Sequence, residues 1–469
     1  MKKQGLNPYL PSWEYIPDGE PHVFNDRVYV YGSHDRFNGH VYCLNDYVCW
    51  SAPVDDLADW SYEGVIYEKT DDPLNPDGRM CLYAPDVTVG PDGRYYLYYV
   101  LDKVPVVSVA VCDTPAGKYE FYGYVHYSDG VRLGERAGDE PQFDPGVLTE
   151  GDKTYLYTGF CAIGDKSRSG AMATVLGPDM FTILEEPVFI APSEPYSAGS
   201  SFEGHEFFEA PSIRKKGDTY YLIYSSVVMH ELCYATSKHP TKDFIYQGVI
   251  ISNNDLHIES YKPADKPMYY GGNNHGSITA IKDKWYIFYH RHTNGSNFSR
   301  QGCVEAIEFL SDGTIPQVEM TSCGSNGGPL IGQGEYPAYI ACNLIHRDEA
   351  IYTGDLWMDS QFPKITQDGK DGDEEIGYIA NMTDSATAGF KYFNCKGIKK
   401  VKIKVRGYCN GKFEVKTRWD GPALGKIPVE FTNVWTEYSA DIAIPDGIQA
   451  IYITYTGNGR ASLASFTLE

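Results

Sequence analysis

Pro211-Ser212-Ile213-Arg214-Lys215-Lys216-Gly217-Asp218-Thr219-Tyr220-Tyr221-Leu222-Ile223-Tyr224 reads as a short apolar strand, a polar turn and a tyrosine-rich strand. Aromatic and β-branched residues suit the pleated, half-buried face of a sheet, and Gly-Asp supplies the turn. The same grammar occurs four more times. Pro21-His22-Val23 leads to Val28-Tyr29-Val30-Tyr31, and Pro85-Asp86-Val87 leads to Tyr95-Tyr96-Leu97-Tyr98. Pro145-Gly146-Val147 leads to Tyr155-Leu156-Tyr157, and Gly276-Ser277-Ile278 to Trp285-Tyr286-Ile287-Phe288-Tyr289. The anchors at 21, 85, 145, 211 and 276 recur every 60–66 residues. That period holds four short strands with their turns, which is one propeller blade. The repeat therefore predicts an all-β fold whose first part, residues 1–325, is a five-bladed β-propeller.

The grammar stops at the glycine-rich stretch Gly324-Ser325-Asn326-Gly327-Gly328-Pro329 and Gly332-Gln333-Gly334. Beyond it, Val401-Lys402-Ile403-Lys404-Val405, Lys412-Phe413-Glu414-Val415-Lys416, Ile451-Tyr452-Ile453-Thr454-Tyr455 and Ser462 to Leu468 alternate at short spacing. Such strands predict a β-sandwich over residues 335–469.

Composition narrows the partners. The 63 acidic against 40 basic side chains give a net charge of −23, which repels phosphate backbones and anionic lipid; neither nucleic acid nor membrane is expected as a partner. Behind Met1-Lys2-Lys3 no apolar run follows, so the start does not read as a secretion signal. The 11 cysteines are scattered without a C-x-x-C pair. Buried reduced thiols and a cytoplasmic location are the expectation. Tyrosine is abundant, 39 residues beside 20 Phe and 7 Trp, and suits both strand surfaces and the flat faces of sugars.

In a propeller the first strand of each blade lines the axis, so the residues just before these strands converge on one funnel. Here they are Glu20, Ala84, Asp144, Ala210 and His275, with Glu209 beside Ala210. Three carboxylates crowd together, and like charges at close range raise the pKa of at least one. Glycosidic hydrolysis needs this chemistry: one carboxylic acid protonates the leaving oxygen while a carboxylate activates water.

These residues together resemble glycoside hydrolase family 43 over roughly residues 7–318. The resemblance implies an inverting hydrolase on a five-bladed propeller, acting mainly on arabinofuranosides and xylosides. Asp144-Pro145 resembles the family's pKa-tuning Asp-Pro, and Glu209-Ala210-Pro211-Ser212 resembles its general-acid element. Glu20-Pro21 stands where the family carries a general-base Asp-Pro, so Glu20 is the expected base. Asp18, two residues earlier, is the alternative base and otherwise a substrate contact. Tyr83-Ala84-Pro85-Asp86 resembles a Trp-Ala-Pro element, which implies substrate contacts from Tyr83 and Asp86. Arg300 resembles the arginine that approaches the catalytic carboxylates. Asn274-His275-Gly276-Ser277 resembles a segment whose histidine lies near a central calcium or water, making His275 the metal candidate; no cofactor is required by the reaction. His290, alternating with His292 in a strand, is a further expected substrate contact.

The expected activity is an exo-acting release of L-arabinofuranose, or else D-xylose, from pentose-containing plant oligosaccharides. A non-catalytic sugar-binding propeller is the alternative of another class, but a lectin gains nothing from carboxylates that repel one another. Retaining fructan and sucrose hydrolases of similar fold carry an Asn-Asp-Pro-Asn-Gly element that is missing here. The C-terminal sandwich resembles family-6 carbohydrate-binding modules without a motif that maps residue by residue.

Overall fold

The computed structural model describes residues 3–350 and 361–469; Met1 and Lys2, the start of the N-terminal stretch read above, lie outside them. Alternating runs of aromatic and β-branched residues become antiparallel meanders, one after another around an axis. Blade one is β1 (Glu20–Phe24), β2 (Arg27–Tyr31), β3 (Tyr47–Pro53) and β4 (Ser61–Tyr67). Blade two is β5 (Asp86–Val89), β6 (Tyr95–Tyr99), β7 (Ser108–Cys112) and β8 (Glu120–Tyr124). Blade three is β9 (Gly146–Glu150), β10 (Lys153–Thr158), β11 (Gly170–Leu176) and β12 (Ile183–Pro192). Blade four is β13 (Phe207–Lys216), β14 (Thr219–Ser226), β15 (Glu231–Ser237) and β16 (Ile245–Ser252). Blade five holds three strands, β17 (Ile278–Ile281), β18 (Lys284–Thr293) and β19 (Ser296–Ile307).

The second strand of each blade buries a tyrosine whose hydroxyl finds an acceptor, as a buried phenol must. Tyr31 donates to the Pro115 carbonyl at 2.6 Å, Tyr157 to Pro240 at 2.7 Å and Tyr224 to His205 at 2.7 Å. Tyr99 donates to Asp72 at 2.6 Å and Tyr289 to Glu305 at 3.3 Å. These repeated side chains are the physical reason the tyrosine-rich strands recur in the sequence.

The ring closes through the inner strands, with β1 packed between β17 and β5. A second closure comes from the N-terminal segment lying along β19. There the Asn7 side-chain amide copies a strand partner: Nδ2 donates to the Val304 carbonyl at 3.0 Å and Oδ1 accepts from its amide at 2.8 Å. Tyr9 N–H donates to the Gly302 carbonyl at 3.3 Å.

Past residue 330 two six-stranded sheets face each other. One contains Ala386–Cys395, Gly447–Gly459, Cys409–Lys416 and Gly425–Val429; the other contains Tyr378–Met382, Ala461–Leu468, Lys400–Gly407 and Thr432–Asp441. The molecule is thus a five-bladed propeller followed by a β-sandwich. Their apolar cores are continuous. Buried Lys391 of the sandwich reaches Asp255 at 2.9 Å and Glu319 at 2.8 Å, while Arg291 of β18 donates to the carbonyls of Tyr339 and Ala341. All eleven cysteines are free thiols, ten of them buried. Among the described residues no helix is long and apolar enough to cross a membrane.

Candidate active site

Short loops before the inner strands deliver the site. Asp18 and Asp144 adopt left-handed backbone (φ 58° and 45°), each two residues before its inner strand begins. Ala210 (φ 64°) does the same inside β13, where the ladder to β14 breaks register between Glu209 and Ser212. A bulge of this kind re-aims a side chain, and here it turns Glu209 into the funnel. Non-glycine residues seldom hold this conformation, and where they do the surrounding structure enforces it.

The funnel ends in a pocket of about 350 Å³. Asp18, Asp144, Glu209, His275, Arg300 and Asn273 supply its polar groups; Tyr42, Tyr83, Phe143, Phe160, Phe208 and Met229 supply most of its apolar wall. The aromatics form a chain of ring contacts: Tyr83 to Phe143 at 5.4 Å, Phe143 to Phe160 at 5.2 Å and Phe160 to Phe208 at 5.3 Å. Tyr83 was expected, and two of the others had a sequence signal, since Phe143 and Phe208 immediately precede Asp144 and Glu209. Tyr42 and Phe160 come from connecting loops and had none.

Electrostatics divide the carboxylates. Burial opposes ionisation of Asp18, but Arg300, His290 and His275 outweigh it and hold its carboxyl well below the usual carboxylate range. Arg300 donates to Asp18 at 3.0 Å and grips Asp35 with two nitrogens, at 2.8 and 2.9 Å, so the guanidinium is fixed. Burial together with the Asp144 charge pushes the Glu209 carboxyl above the usual range. Burial also raises Asp144, against the opposing charge of His275. The pocket thus holds one carboxylate that is ionised at neutral pH and one carboxyl that keeps its proton. That is the pairing acid–base hydrolysis requires.

Glu20 does not line the pocket. It lies 1 % exposed beneath it, with Oε2 accepting from Arg214 at 2.6 Å and from Ser212 Oγ at 2.9 Å. Burial works against its charge, yet Arg214 and His275 keep it ionised. The expectation that Glu20 activates water therefore fails on position, and Asp18 occupies the place that expectation required. The ladder explains the slip. Glu20 pairs with Tyr31 as Gly146 pairs with Tyr157, so Asp18 is the counterpart of Asp144; the prolines at 21 and 145 are two residues out of register.

Asp86 is also displaced from its expected role as a substrate contact. Fully buried, it accepts from the Val147 amide at 2.8 Å and contacts His22 Nε2 at 2.7 Å, tying blade two to blades three and one. His290 likewise stands behind the wall: it is 0 % exposed, Nε2 donates to the Asn273 carbonyl at 2.7 Å, and Nδ1 lies 3.2 Å from Asp18. It positions Asp18 and does not reach the cavity. Tyr83 and Arg300 do line it.

His275 was the metal candidate. Its ring nitrogens lie 3.7 Å from Asp144, 3.8 Å from Glu20 and 4.0 Å from Asp18. Although burial opposes it, the nearby Glu20 carboxylate and the charges of Asp144 and Asp18 push its pKa up to about 9. Calcium takes six to eight oxygens at roughly 2.3–2.6 Å. Here Glu20 Oε2 pairs with Arg214 and Asp18 Oδ1 with Arg300. His275 itself lines the pocket among these carboxylates.

The axial ion pair carries a stability prediction. Arg214→Met leaves the Glu20 carboxylate buried with only His275 to balance it. We expect a loss of about 3 kcal/mol, the low end of the range for breaking a buried pair, read from urea unfolding. Arg214→Met combined with Glu20→Gln should recover part of that loss. A single variant as stable as the parent would show the pair to be dispensable.

With the site in view, its relatives can be set beside it. Residues 17–315 match the family described as Glycosyl hydrolases family 43. The chain is 80% identical to a xylosidase/arabinosidase of Thermoclostridium stercorarium over 100% of this chain and 99% of that protein. It is 28% identical to a xylosidase/arabinosidase of Bacteroides ovatus, over 66% of this chain and 97% of that one. A solved family-43 β-xylosidase/α-arabinofuranosidase from a compost microbial metagenome, in complex with xylotriose, superposes with TM-score 0.53 at 26% identity. That match covers 68% of this chain and 98% of the other. An arabinoxylan arabinofuranohydrolase from Bacillus subtilis shares the fold over 99% of both chains, with TM-score 0.53 and 20% identity.

Proposed function

The chain belongs to glycosyl hydrolase family 43, an inverting family of glycoside hydrolases, and from that premise we propose that it is a xylosidase/arabinosidase that releases a terminal L-arabinofuranose from plant-derived oligosaccharides. The observation that carries this reading is the small pocket, about 350 Å³, with ionised Asp18 and protonated Glu209 in its wall. Its volume is at the low end for ligand sites, roughly 300–1,000 Å³, which suits one terminal sugar better than a threaded chain. The aromatic wall offers the apolar face a sugar ring packs on. The name carried by the 80%-identical relative supports the same pentose chemistry, with D-xylose as the second substrate.

In this reading Asp18 takes a proton from water as the water attacks the anomeric carbon. Glu209 gives its proton to the glycosidic oxygen as the carbon–oxygen bond breaks, and the configuration inverts. Asp18 ends protonated and Glu209 ionised; exchange with solvent resets both. Arg300 and His290 keep Asp18 ionised beforehand, and Asp144 keeps Glu209 protonated.

A panel of nitrophenyl glycosides tests the substrate. We expect the highest kcat/KM on the α-L-arabinofuranoside and the β-D-xyloside next. Faster turnover of a hexoside, or internal cleavage of polymeric arabinoxylan, would refute it.

The pH profile tests the role of Asp144. Its negative charge raises the Glu209 pKa, so Asp144→Asn lets Glu209 ionise at lower pH. The alkaline limb of kcat/KM, which reports loss of the acid's proton, should then move down by roughly one unit or more, the size of a neighbouring charge. An unmoved limb would take that role from Asp144.

A further inference from the structure

Blade four carries a cluster of histidines outside the pocket. Glu231 opens β15 with His230 just before it, and His257 lies in the segment following β16. One ring nitrogen of each histidine and one oxygen of Glu231 lie within 4.8 Å of one another. His257 Nε2 is 3.7 Å from Glu231 Oε2, and the two imidazole rings are 5.5 Å apart.

The Glu231 side chain is 0 % exposed. Its Oε1 is well supplied, accepting from Ser226 Oγ at 2.6 Å and contacting His205 Nδ1 at 2.6 Å. Its Oε2 is buried and has no hydrogen-bond partner. A buried carboxylate oxygen without a donor is costly, and few native structures leave one so.

The tautomer of His230 is set for the same purpose. Ser252 Oγ donates to Asn254 Oδ1 at 2.6 Å, so it accepts from His230 Nδ1 at 3.0 Å. That leaves the Nε2 lone pair of His230 free of a proton. Metal-binding histidines are oriented in this way, by a second hydrogen bond from the other ring nitrogen.

We propose that His230, His257 and Glu231 form a binding site for a zinc-class transition-metal dication, with Oε2 of Glu231 as its oxygen ligand. Two imidazoles and one carboxylate, with a solvent molecule as fourth ligand, is a donor set zinc accepts. Calcium and magnesium want oxygens and are excluded by the two nitrogens. His205 serves as the outer partner that holds Oε1. Cys233 stays outside the ligand set, because its Sγ lies 3.3 Å from Oε1, whereas His257 faces Oε2. A bound ion would tie the start of β15, next to pocket residue Met229, to the segment between β16 and β17.

The test uses untagged full-length protein stripped by chelator and titrated with zinc chloride against a chromophoric competitor. We expect one zinc per chain and a rise in melting temperature with zinc. His257→Ala, whose ring is 47 % exposed and so can be removed without disturbing the core, should weaken binding at least ~10-fold. Glu231→Gln should do the same, and millimolar calcium should not compete. Turnover of nitrophenyl arabinofuranoside by His257→Ala should match the parent, showing an intact fold. Absence of stoichiometric zinc, or equal zinc affinity in the parent and His257→Ala, overturns the proposal.

Discussion

Asp18→Asn should abolish turnover while leaving the protein folded and able to bind sugar. The substitution keeps the shape that Arg300 and His290 grip and removes the charge that accepts water's proton. A positioned base contributes on the order of 10²–10⁴-fold, and the kcat of purified variants should fall by that factor. Glu20→Gln should behave differently. Its carboxylate lies below the pocket on Arg214 and Ser212, so the expected cost is stability, seen as a lower melting temperature, with kcat within about tenfold of the parent. A dead Glu20→Gln beside an active Asp18→Asn would return the base to Glu20.

Glu209→Ala carries the second large effect. The carboxyl is buried in an aromatic wall and raised by Asp144, so it holds a proton ready for the leaving oxygen. Losing it should cost roughly 10²–10⁴-fold on natural oligosaccharides. A nitrophenolate leaves without that proton, so on activated aryl glycosides the loss should be much smaller. Kinetics on a series of aryl glycosides then show a steeper dependence on leaving-group pKa in the variant. Equal losses across the series would remove Glu209 from the acid's role.

Much of the fold was legible because its determinants are local. Each blade repeats a turn and a tyrosine-rich strand, and Tyr31, Tyr98, Tyr157, Tyr224 and Tyr289 are buried where that repeat put them. The closure of blade five was not legible, since it depends on Asn7 meeting Val304 across nearly the whole propeller. The site was read two residues out in blade one for a physical reason. Proline marks the start of a strand, but in blades one and three the left-handed residue is the one whose side chain enters the funnel, and φ leaves no trace in the spelling Asp18-Gly19-Glu20-Pro21. Asp86 and His290 were misplaced for a related reason. Both sit in or beside inner strands as polar residues, and only the pairing shows them turned to the axis or to the back of Asp18. The Asp35 grip on Arg300 joins residues 265 apart, beyond any local signal. The charges told more than the geometry: three clustered carboxylates implied split pKa values, and the split is present between Asp18 and Glu209.

Chemical rescue tests the central claim, that Asp18 activates water, more directly than any loss of rate. Azide is a nucleophile that needs no base, and in Asp18→Asn it can enter from the side the water used. On a nitrophenyl arabinofuranoside, azide should restore turnover to Asp18→Asn and yield a glycosyl azide of inverted configuration by proton NMR, while Glu20→Gln gains nothing. Rescue of Glu20→Gln with none for Asp18→Asn, or an azide of retained configuration, would contradict the account.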